Sequence, residues 1–441
     1  MAGFFEHELA LVSDAEPVRM SGSVARVVGL VVEAKGISVP VGSLCRVDPS
    51  FGGRSIEAEV VGFRDDRAIL MPYGSMQGLK RFDRVVHLTS SQMIDVGPDL
   101  LGRVIDSRGR VVDGGPPPRR IRRVPLYAAA PKPLQRARIA DPLSTGVRVV
   151  DGLITCGRGQ RIGLFSGSGV GKSVLMGMMT RYTEAPIVVV ALVGERGREV
   201  RDFIEKDLGP EGRKRAVVVV STGDEPPLMR VKAPFAATAV AEYFRDEGHD
   251  VLLMMDSVTR MAFAQREIGL SAGEPPATKG YPPSVFALMP RLMERAGRSD
   301  KGSITGIYTV LVEGDDVTEP IADTARSILD GHIWLSRDLA QKGHFPAVDP
   351  LQSVSRVMID VVAREHMRAA TRLKALLATH RSAEDLINIG AYVAGSSAEI
   401  DRAIRMLPAV NGILRQEIGD HGRWPDTVAA ILELAKMADE K

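Results

Sequence analysis

Cysteine and aromatic residues are scarce in this chain. Only two cysteines, Cys45 and Cys156, occur among 441 residues, and they lie far apart in the sequence. A disulfide framework or a cysteine-ligated zinc site is therefore not expected, and the composition suits a reducing compartment. Aromatic residues make up 5% of the chain, and none interleave with basic residues in the 20–92 stretch, as the stacking surfaces for single-stranded nucleic acids would require.

The chain also lacks an excess of charge of either sign. The 57 basic and 55 acidic residues leave a formal charge of +2. Proteins that bind nucleic acid through its phosphates usually carry a basic excess, so we expect no nucleic-acid partner. The basic run at 119–123 is interpreted as a solvated face or linker.

Long apolar runs are missing as well. No stretch approaches the ~18 consecutive apolar residues of a membrane-spanning helix. The first residues show no basic patch followed by an apolar core, so no secretory signal is recognised. We expect a cytoplasmic protein for which peripheral contact with the inner face of the cytoplasmic membrane stays open. Apolar residues form 44% of the chain, enough to bury a large core in two or three domains.

Changes in pattern along the chain predict four parts. Residues 1–19 form a short arm, either helical or ordered only by a partner. Residues 20–92 contain short β-branched runs punctuated by glycine and proline, which indicate a small β-barrel or sandwich. Residues 93–363 become strand–helix–strand, and residues 364–441 have the spacing of a helical domain.

The third part carries near-continuous apolar runs. Such runs are typical of parallel strands that are covered by helices on both faces. The predicted strands are 161–165, 187–193, 216–221, 251–255 and 305–312. The sequence therefore predicts an α/β core.

A glycine-rich loop follows the first of these strands and precedes a helix. Its residues are Gly167, Ser168, Gly169, Val170, Gly171, Lys172 and Ser173. Glycines let backbone N–H groups point inward, and the helix N-terminus favours negative charge, so the loop is predicted to hold nucleotide phosphates. Lys172 would reach the β- and γ-phosphates, and the Ser173 hydroxyl would ligate Mg²⁺. The strict motif has glycine where this chain has Ser166, which weakens the match slightly.

Two acidic residues complete the predicted hydrolytic site. Asp256 ends the strand at 251–255 and would hold Mg²⁺ through water. Glu195 follows the strand at 187–193 and should emerge at the same edge of the sheet, where it could polarise the attacking water. The alternatives are a turn residue for Asp256 and a surface ion pair for Glu195. Together with the loop, these residues predict an ATPase.

The chain resembles the catalytic ATPase of flagellar and type III protein export, a relative of the rotary ATP synthase β subunit. The resemblance covers about residues 20–430 and is carried by segments 156–161, 194–199, 312–316, 319–323, 327–333 and 343–349. It implies a RecA-like P-loop NTPase core, an N-terminal small β-barrel and a C-terminal helical domain. The resemblance also implies that Ser166, in place of the first glycine of the strict phosphate-loop motif, is a feature of the export branch.

The resemblance also implies roles for single residues. Lys172 and Ser173 match the phosphate lysine and Mg²⁺ ligand, and Glu195 matches the catalytic glutamate. Further matches are Arg196 as a γ-phosphate arginine, Asp256 as the acidic Mg²⁺ residue, Arg260 as an arginine beside the catalytic glutamate, and Phe345 as the ring against adenine. Arg356 resembles an arginine finger that acts in trans on ATP bound by the adjacent subunit.

Partners follow from the same resemblance. The implied assembly is a homohexamer whose central pore, lined in part by residues 269–283, admits a coiled-coil stalk protein. The arm at residues 1–19 resembles the docking element for a stator-like export regulator. The export gate, chaperones and secreted substrates are further implied partners.

Four other functions compete with flagellar protein export. A virulence type III secretion ATPase is the nearest alternative, since no substrate-binding motif separates the two branches. An ATP synthase β-type subunit is disfavoured by Ser166 and by residues 312–333. An RNA-translocating hexamer is disfavoured by the near-neutral charge, and a non-catalytic nucleotide-binding subunit by Glu195.

Overall fold

The computed structural model describes residues 20–50, 52–312, 314, 316 and 318–439. The predicted docking arm at residues 1–19 lies outside these ranges. Glu313 and Asp315, which belong to one of the segments that carried the resemblance, also lie outside them.

The first folded unit is a closed antiparallel barrel. Its strands are β1 (Ser21–Val28), β2 (Val31–Lys35), β3 (Leu44–Asp48), β4 (Ile56–Arg64), β5 (Arg67–Pro72) and β6 (Arg84–Thr89). They pair in the order β1-β2-β5-β4-β3-β6, and β6 returns to β1. Side chains alternate between the two faces, and Val24, Val47, Val60, Leu70 and Val85 are fully buried inside. The predicted barrel is confirmed, and closure of the sheet removes its free edges.

A connecting stretch links the barrel to the central sheet. Strand β7 (Met93–Val96) pairs with β9 (Arg122–Pro125), while β8 (Val104–Asp106) joins the edge of the central sheet. Short 3₁₀ turns lie at Pro98–Leu100 and Pro133–Gln135.

The central sheet is the scaffold of the site. A separate two-stranded ladder, β10 (Pro142–Leu143) and β11 (Cys156–Gly157), precedes it. Besides β8, the strands of the central sheet are β12 (Arg161–Ser166), β13 (Ile187–Glu195), β14 (Ala216–Thr222), β15 (Asp250–Asp256), β16 (Gly297–Arg298), β17 (Ser303–Leu311), β18 (Gly331–Leu335) and β19 (Val354–Ser355). Strand β16 pairs with β17 alone. The order is β19-β18-β12-β17-β15-β13-β14-β8, parallel from β18 to β8. The five predicted strands all lie in this sheet, and their carboxyl ends share one edge.

Helices cover both faces of the sheet. They are Arg148–Leu153, Lys172–Tyr182, Gly197–Asp202, the π-helical Phe203–Leu208, Gly209–Lys214, Pro227–Asp246, Val258–Ala272, the 3₁₀ turn Thr278–Gly280, Pro283–Met293, Pro320–Ile328, Arg337–Gln341 and Met358–Val361. Alternate residues of β13 enter different cores: Val189 and Ala191 face one side, and Val188 and Val190 face the other. This double burial explains why the strand is apolar throughout.

Three helices form a C-terminal helical bundle: Arg364–Asn388, Ala398–Leu414 and Trp424–Asp439. Their apolar faces pack on one another and on Arg148–Leu153. Leu373, Met406 and Ile431 share one continuous core with Met176 and Met179 of the helix that follows the phosphate loop. The predicted β-barrel, α/β core and C-terminal helical domain are thus confirmed. Within the described residues, no helix combines the length and apolarity needed to span a membrane.

Candidate active site

The phosphate loop joins the end of β12 to the helix Lys172–Tyr182. Gly169 and Gly171 have φ values of 78° and 89°, in the left-handed region that favours glycine. Gly171 is the residue immediately before the helix. The free N–H groups of the first helical turn therefore face the concave side of the loop, where an anion binds favourably.

Ser166, which replaces the glycine of the strict motif, is the last residue of β12. Its side chain is fully buried, and its hydroxyl has no hydrogen-bond partner among the described residues. The Ser166 carbonyl accepts a hydrogen bond of 2.9 Å from the backbone N–H of Val312. Ser166 is thus accommodated in the strand end, outside the curve of the loop.

Lys172 meets two carboxylates at the loop. Its Nζ forms an ion pair with Asp256 Oδ1 and lies 3.7 Å from Glu195 Oε1. Asp256 Oδ1 also accepts a hydrogen bond of 2.7 Å from Thr309 Oγ1, and its residue is 3% exposed. Strands β12, β13 and β15 end together here, so the structure brings Lys172, Glu195 and Asp256 into one cluster.

The two carboxylate oxygens of Glu195 have different surroundings. Its Oε2 lies 2.7 Å from Arg260 Nη1, and Oε1 is buried without a hydrogen-bond partner in the described part of the chain. Arg260 also donates to the carbonyl of Gly194. Gly194 has φ 67°, and a Cβ there would lie 3.1 Å from Arg260 Cδ, so glycine lets the arginine cross the end of the strand. Arg260 thereby orients Glu195 and leaves one carboxylate oxygen for another ligand.

The environment of Glu195 brings its ionisation near neutrality. Burial raises its pKa to about 7, helped by a hydrogen bond with Glu199 and by the charge of Asp256. Lys172 and Arg260 act in the opposite direction without cancelling this effect. Desolvation disfavours the charged carboxylate, and the cations restore part of the loss. A carboxylate with a pKa near 7 is suited to accept a proton at physiological pH.

The donor set beside the loop suits Mg²⁺. The exposed Ser173 hydroxyl and the Asp256 carboxylate supply oxygen ligands, which this ion prefers. No group of three or more His, Cys, Asp or Glu that could hold a metal occurs in the described ranges. Such sparse protein ligation fits a Mg²⁺ ion that is completed by nucleotide phosphates and water.

A cavity of about 1040 Å³ opens beside the loop. Val170, Gly171 and Val174 line one side, and Phe345 lies near them, with its ring 3.7 Å from a Cβ built on Gly171. Residues 415–420, between two helices of the C-terminal helical bundle, form the opposite side; they are the cavity wall below. Phe345 is 48% exposed, so its ring is available to a flat ligand.

Two of the predicted residues lie outside this cluster. The Arg196 side chain is 86% exposed and pairs with Glu199 at 3.8 Å. Arg356 is exposed and follows the edge strand β19, where its N–H bonds to the carbonyl of Asp330, level with the start of β12. Arg356 therefore lies beside the start of β12, whereas the phosphate loop follows the other end of that strand.

Sequence reasoning missed Thr309 and the cavity wall. Thr309 is one polar residue inside an apolar strand, and only the register between β17 and β15 places it beside Asp256. The wall is distant in sequence from the loop and has no motif. Tertiary packing alone brings it to the cavity.

Family models cover most of the chain. The nucleotide-binding domain of the ATP synthase alpha/beta family matches residues 146–355, and the beta-barrel domain of that family matches residues 24–88. The C-terminal domain of the type III secretion ATPase EscN matches residues 362–433.

Relatives that match over nearly the whole chain belong to the same family as these models. The "Flagellum-specific ATP synthase" of Bacillus subtilis is 53% identical over 94% of each chain. The "Type 3 secretion system ATPase" of Xanthomonas euvesicatoria is 48% identical over 98% of this chain and 97% of the relative. The solved assembled ATPase EscN of enteropathogenic E. coli, in complex with its central stalk EscO, is 44% identical with a TM-score of 0.86, covering 94% of this chain and all of that one. The chain therefore belongs to the ATP synthase alpha/beta family, in its branch of flagellar and type III secretion P-loop ATPases.

Proposed function

We propose that this chain hydrolyses ATP to ADP and phosphate to energise protein export by a flagellar type III secretion apparatus. The observation that carries the proposal is the buried, unpartnered Oε1 of Glu195 beside Lys172 and the phosphate loop. A non-catalytic nucleotide-binding subunit would have no use for a carboxylate held in this way.

The roles of the residues follow from charge and position. Backbone N–H groups of the loop and Lys172 bind the phosphates, and Lys172 then shares its charge between them and Asp256. Ser173 and Asp256 would hold Mg²⁺, which would supply positive charge to offset that of the phosphates. Glu195 orients the attacking water through Oε1 and accepts its proton, while Arg260 keeps the carboxylate in place.

Phe345 and the cavity wall bind the base. An aromatic ring beside the loop offers a stacking surface for adenine, and the apolar residues Val170 and Val174 exclude water. The phosphate loop and the base cavity adjoin each other, since Gly171 and Phe345 both line the cavity.

Arg356 serves the neighbouring subunit in a homohexamer. Its exposure and its distance from its own loop support a role in trans, because an arginine on the outer edge of the sheet is free to enter an adjacent site. Among the residues that the structure describes, none forms an ion pair with the Arg356 guanidinium. The Arg196 side chain, which is 86% exposed, is available to reach the γ-phosphate after closure of the interface. The stalk complex of EscN supports a coiled-coil stalk protein in the central pore.

The remaining partners rest on membership of the family. A stator-like regulator binds the arm at residues 1–19, and the export gate, chaperones and secreted substrates meet the assembled ring. The protein works in the cytoplasm, at the inner face of the cytoplasmic membrane. No nucleic acid takes part.

The flagellar branch is preferred to the virulence branch. Identity is 53% to the flagellar relative of Bacillus subtilis and 48% to the secretion ATPase of Xanthomonas euvesicatoria. The C-terminal model of secretion ATPases at residues 362–433 disfavours an ATP synthase subunit or an RNA-translocating motor.

Two measurements test the proposal. Purified protein should hydrolyse ATP in a Mg²⁺-dependent manner, and Lys172→Ala should abolish hydrolysis. A strain that lacks the gene should stop exporting flagellin and regain export with the wild-type gene but not with Lys172→Ala. Normal flagellin export by the deletion strain would contradict the flagellar assignment while leaving the ATPase assignment intact.

A further inference from the structure

The cavity wall has no regular secondary structure, although it forms one side of the nucleotide cavity. Residues 415–420 connect helix Ala398–Leu414 to the segment before Trp424–Asp439. A wall of this kind keeps its shape only if hydrogen bonds hold it. Its contacts therefore reveal what determines the width of the cavity.

Gln416 makes the most extensive of these contacts. The residue is 6% exposed. Its Nε2 donates to the carbonyls of Gly146 and Asp420, each at 2.8 Å, and its Oε1 accepts from the backbone N–H of Arg148 at 2.8 Å. Both amide hydrogens are thus engaged, and they are the only donors the side chain has. The Gln416 amide N–H groups are consequently not available to bind a base. Instead, the side chain holds the backbone of the surrounding segments in place.

The same residue also contacts the segment that carries the aromatic ring. The backbone N–H of Gln416 donates to the carbonyl of Phe345 at 3.0 Å. One residue therefore connects Gly146, where the match to the nucleotide-binding domain begins, with the cavity wall and the segment that carries the stacking ring.

Arg148, Arg181 and Tyr182 of the nucleotide-binding domain support the wall on either side of Gln416. Arg148 donates to the carbonyls of Ile413 and Arg415 at 2.9 and 2.6 Å and forms an ion pair with Asp420. Tyr182, the last residue of the helix that follows the phosphate loop, donates its hydroxyl to the carbonyl of Ile418 at 3.0 Å. The wall is anchored to the domain that binds the phosphates.

We infer that Gln416 is a positioning residue that fixes the base-binding side of the cavity, so that recognition of adenine depends on docking of the C-terminal helical bundle. The inference rests on the proposed binding of adenine beside Phe345. Binding of the phosphates does not depend on Gln416, because the phosphate loop is built by β12 and the following helix.

The test compares two ligands that share phosphates but differ in the base. Isothermal titration calorimetry with Mg²⁺ measures dissociation constants for AMP-PNP and for inorganic tripolyphosphate. Gln416→Ala should weaken AMP-PNP binding about tenfold, because a wall that is no longer fixed must be ordered when the base binds, and leave tripolyphosphate binding within about twofold. Gln416→Glu keeps the oxygen that accepts from the Arg148 N–H, so its dissociation constant for AMP-PNP should lie between those of the wild type and Gln416→Ala. The control Gln77→Ala, at an exposed glutamine of the barrel, should change neither constant.

The alternative results are distinct. Equal weakening of both ligands by Gln416→Ala would show a general structural role and overturn the inference, as would no weakening of AMP-PNP. If Gln416→Ala does not fold, as judged by its thermal melt, the same comparison with Gln416→Glu decides. Wild-type protein that binds AMP-PNP no more tightly than tripolyphosphate would contradict the base cavity itself and thereby identify the proposed function as the failing step.

Discussion

Arg260 Nη1 lies 2.7 Å from Glu195 Oε2, while Oε1 of the same carboxylate is buried and has no hydrogen-bond partner among the described residues. One oxygen is used to orient the group, and the other is available for water. The chemistry expected of Glu195 depends on this asymmetry. It also separates the role of Arg260, which acts through Glu195, from that of Lys172, which binds phosphate.

Glu195→Gln should abolish hydrolysis without abolishing nucleotide binding. The amide keeps the shape of the side chain but cannot accept the proton of water, so kcat should fall about 10²- to 10⁴-fold. The dissociation constant for Mg²⁺-AMP-PNP should change little, because the loop and Lys172 remain. The matched control is Glu211→Gln, whose side chain is 84% exposed and remote from the loop. Retained hydrolysis in Glu195→Gln would remove Glu195 from the mechanism.

The activity should depend on pH through Glu195. Its pKa is raised to about 7, and the reaction needs the deprotonated carboxylate. Below pH 7 the protonated fraction grows, so kcat/KM should fall by roughly tenfold per pH unit, and above pH 7 it should level off. Steady-state rates between pH 5.5 and 9, with ATP and Mg²⁺ concentrations corrected for protonation, measure the profile. A profile that is flat through pH 6 would show that Glu195 titrates far lower.

Two neighbours of Glu195 should shift this profile in opposite directions. Arg260 favours the charged carboxylate, so Arg260→Gln should raise the pKa and move the acidic limb to higher pH. Protonated Glu195 donates a hydrogen bond to the Glu199 carboxylate, which raises the pKa of Glu195, so Glu199→Gln should move the limb to lower pH. The two variants control for each other, because a general loss of structure would not give shifts of opposite sign. Shifts in the same direction would contradict the assignment of the limb to Glu195.

Gly171→Ala should weaken nucleotide binding through backbone strain. Gly171 has φ 89°, and a side chain in this region costs about 1–2 kcal/mol, which corresponds to roughly 5- to 30-fold in the dissociation constant if the loop must relax. The added Cβ has room, since its nearest neighbour is 3.7 Å away, so sterics alone predict no effect. Gly412→Ala is the control, because this helical glycine has open space around it. Calorimetry with Mg²⁺-AMP-PNP measures both variants, and equal affinities would show that the loop tolerates the strain.

The sequence predicted the parts of the site that follow directly from strand ends. Lys172, Glu195 and Asp256 each stand at the carboxyl end of a buried strand or one loop beyond it, and parallel pairing forces such ends together. Thr309 and Gln416 could not be predicted in this way. Thr309 reaches Asp256 through strand register, and Gln416 reaches Gly146 and Phe345 across 270 and 71 residues of chain. Contacts that depend on the packing of distant elements leave no local pattern.

The edge position of Arg356 leads to a prediction about mixed rings. Arg356→Ala subunits keep an intact loop with Glu195, and Glu195→Gln subunits keep an intact Arg356. Each homogeneous ring should be inactive. If Arg356 acts in trans, a complete site forms wherever the loop of an Arg356→Ala subunit meets the Arg356 of a Glu195→Gln subunit.

Mixing the two inactive proteins should therefore restore ATPase activity. At equal amounts, random assembly completes roughly one quarter of the interfaces, so activity should peak near that ratio at up to about a quarter of the wild-type value. The control mixes Glu195→Gln with the double variant Glu195→Gln/Arg356→Ala, which supplies no complete interface and should stay inactive. Two affinity tags, purified in sequence, verify that rings contain both subunits. Verified mixed rings without activity at any ratio would place the action of Arg356 elsewhere than at the neighbouring site.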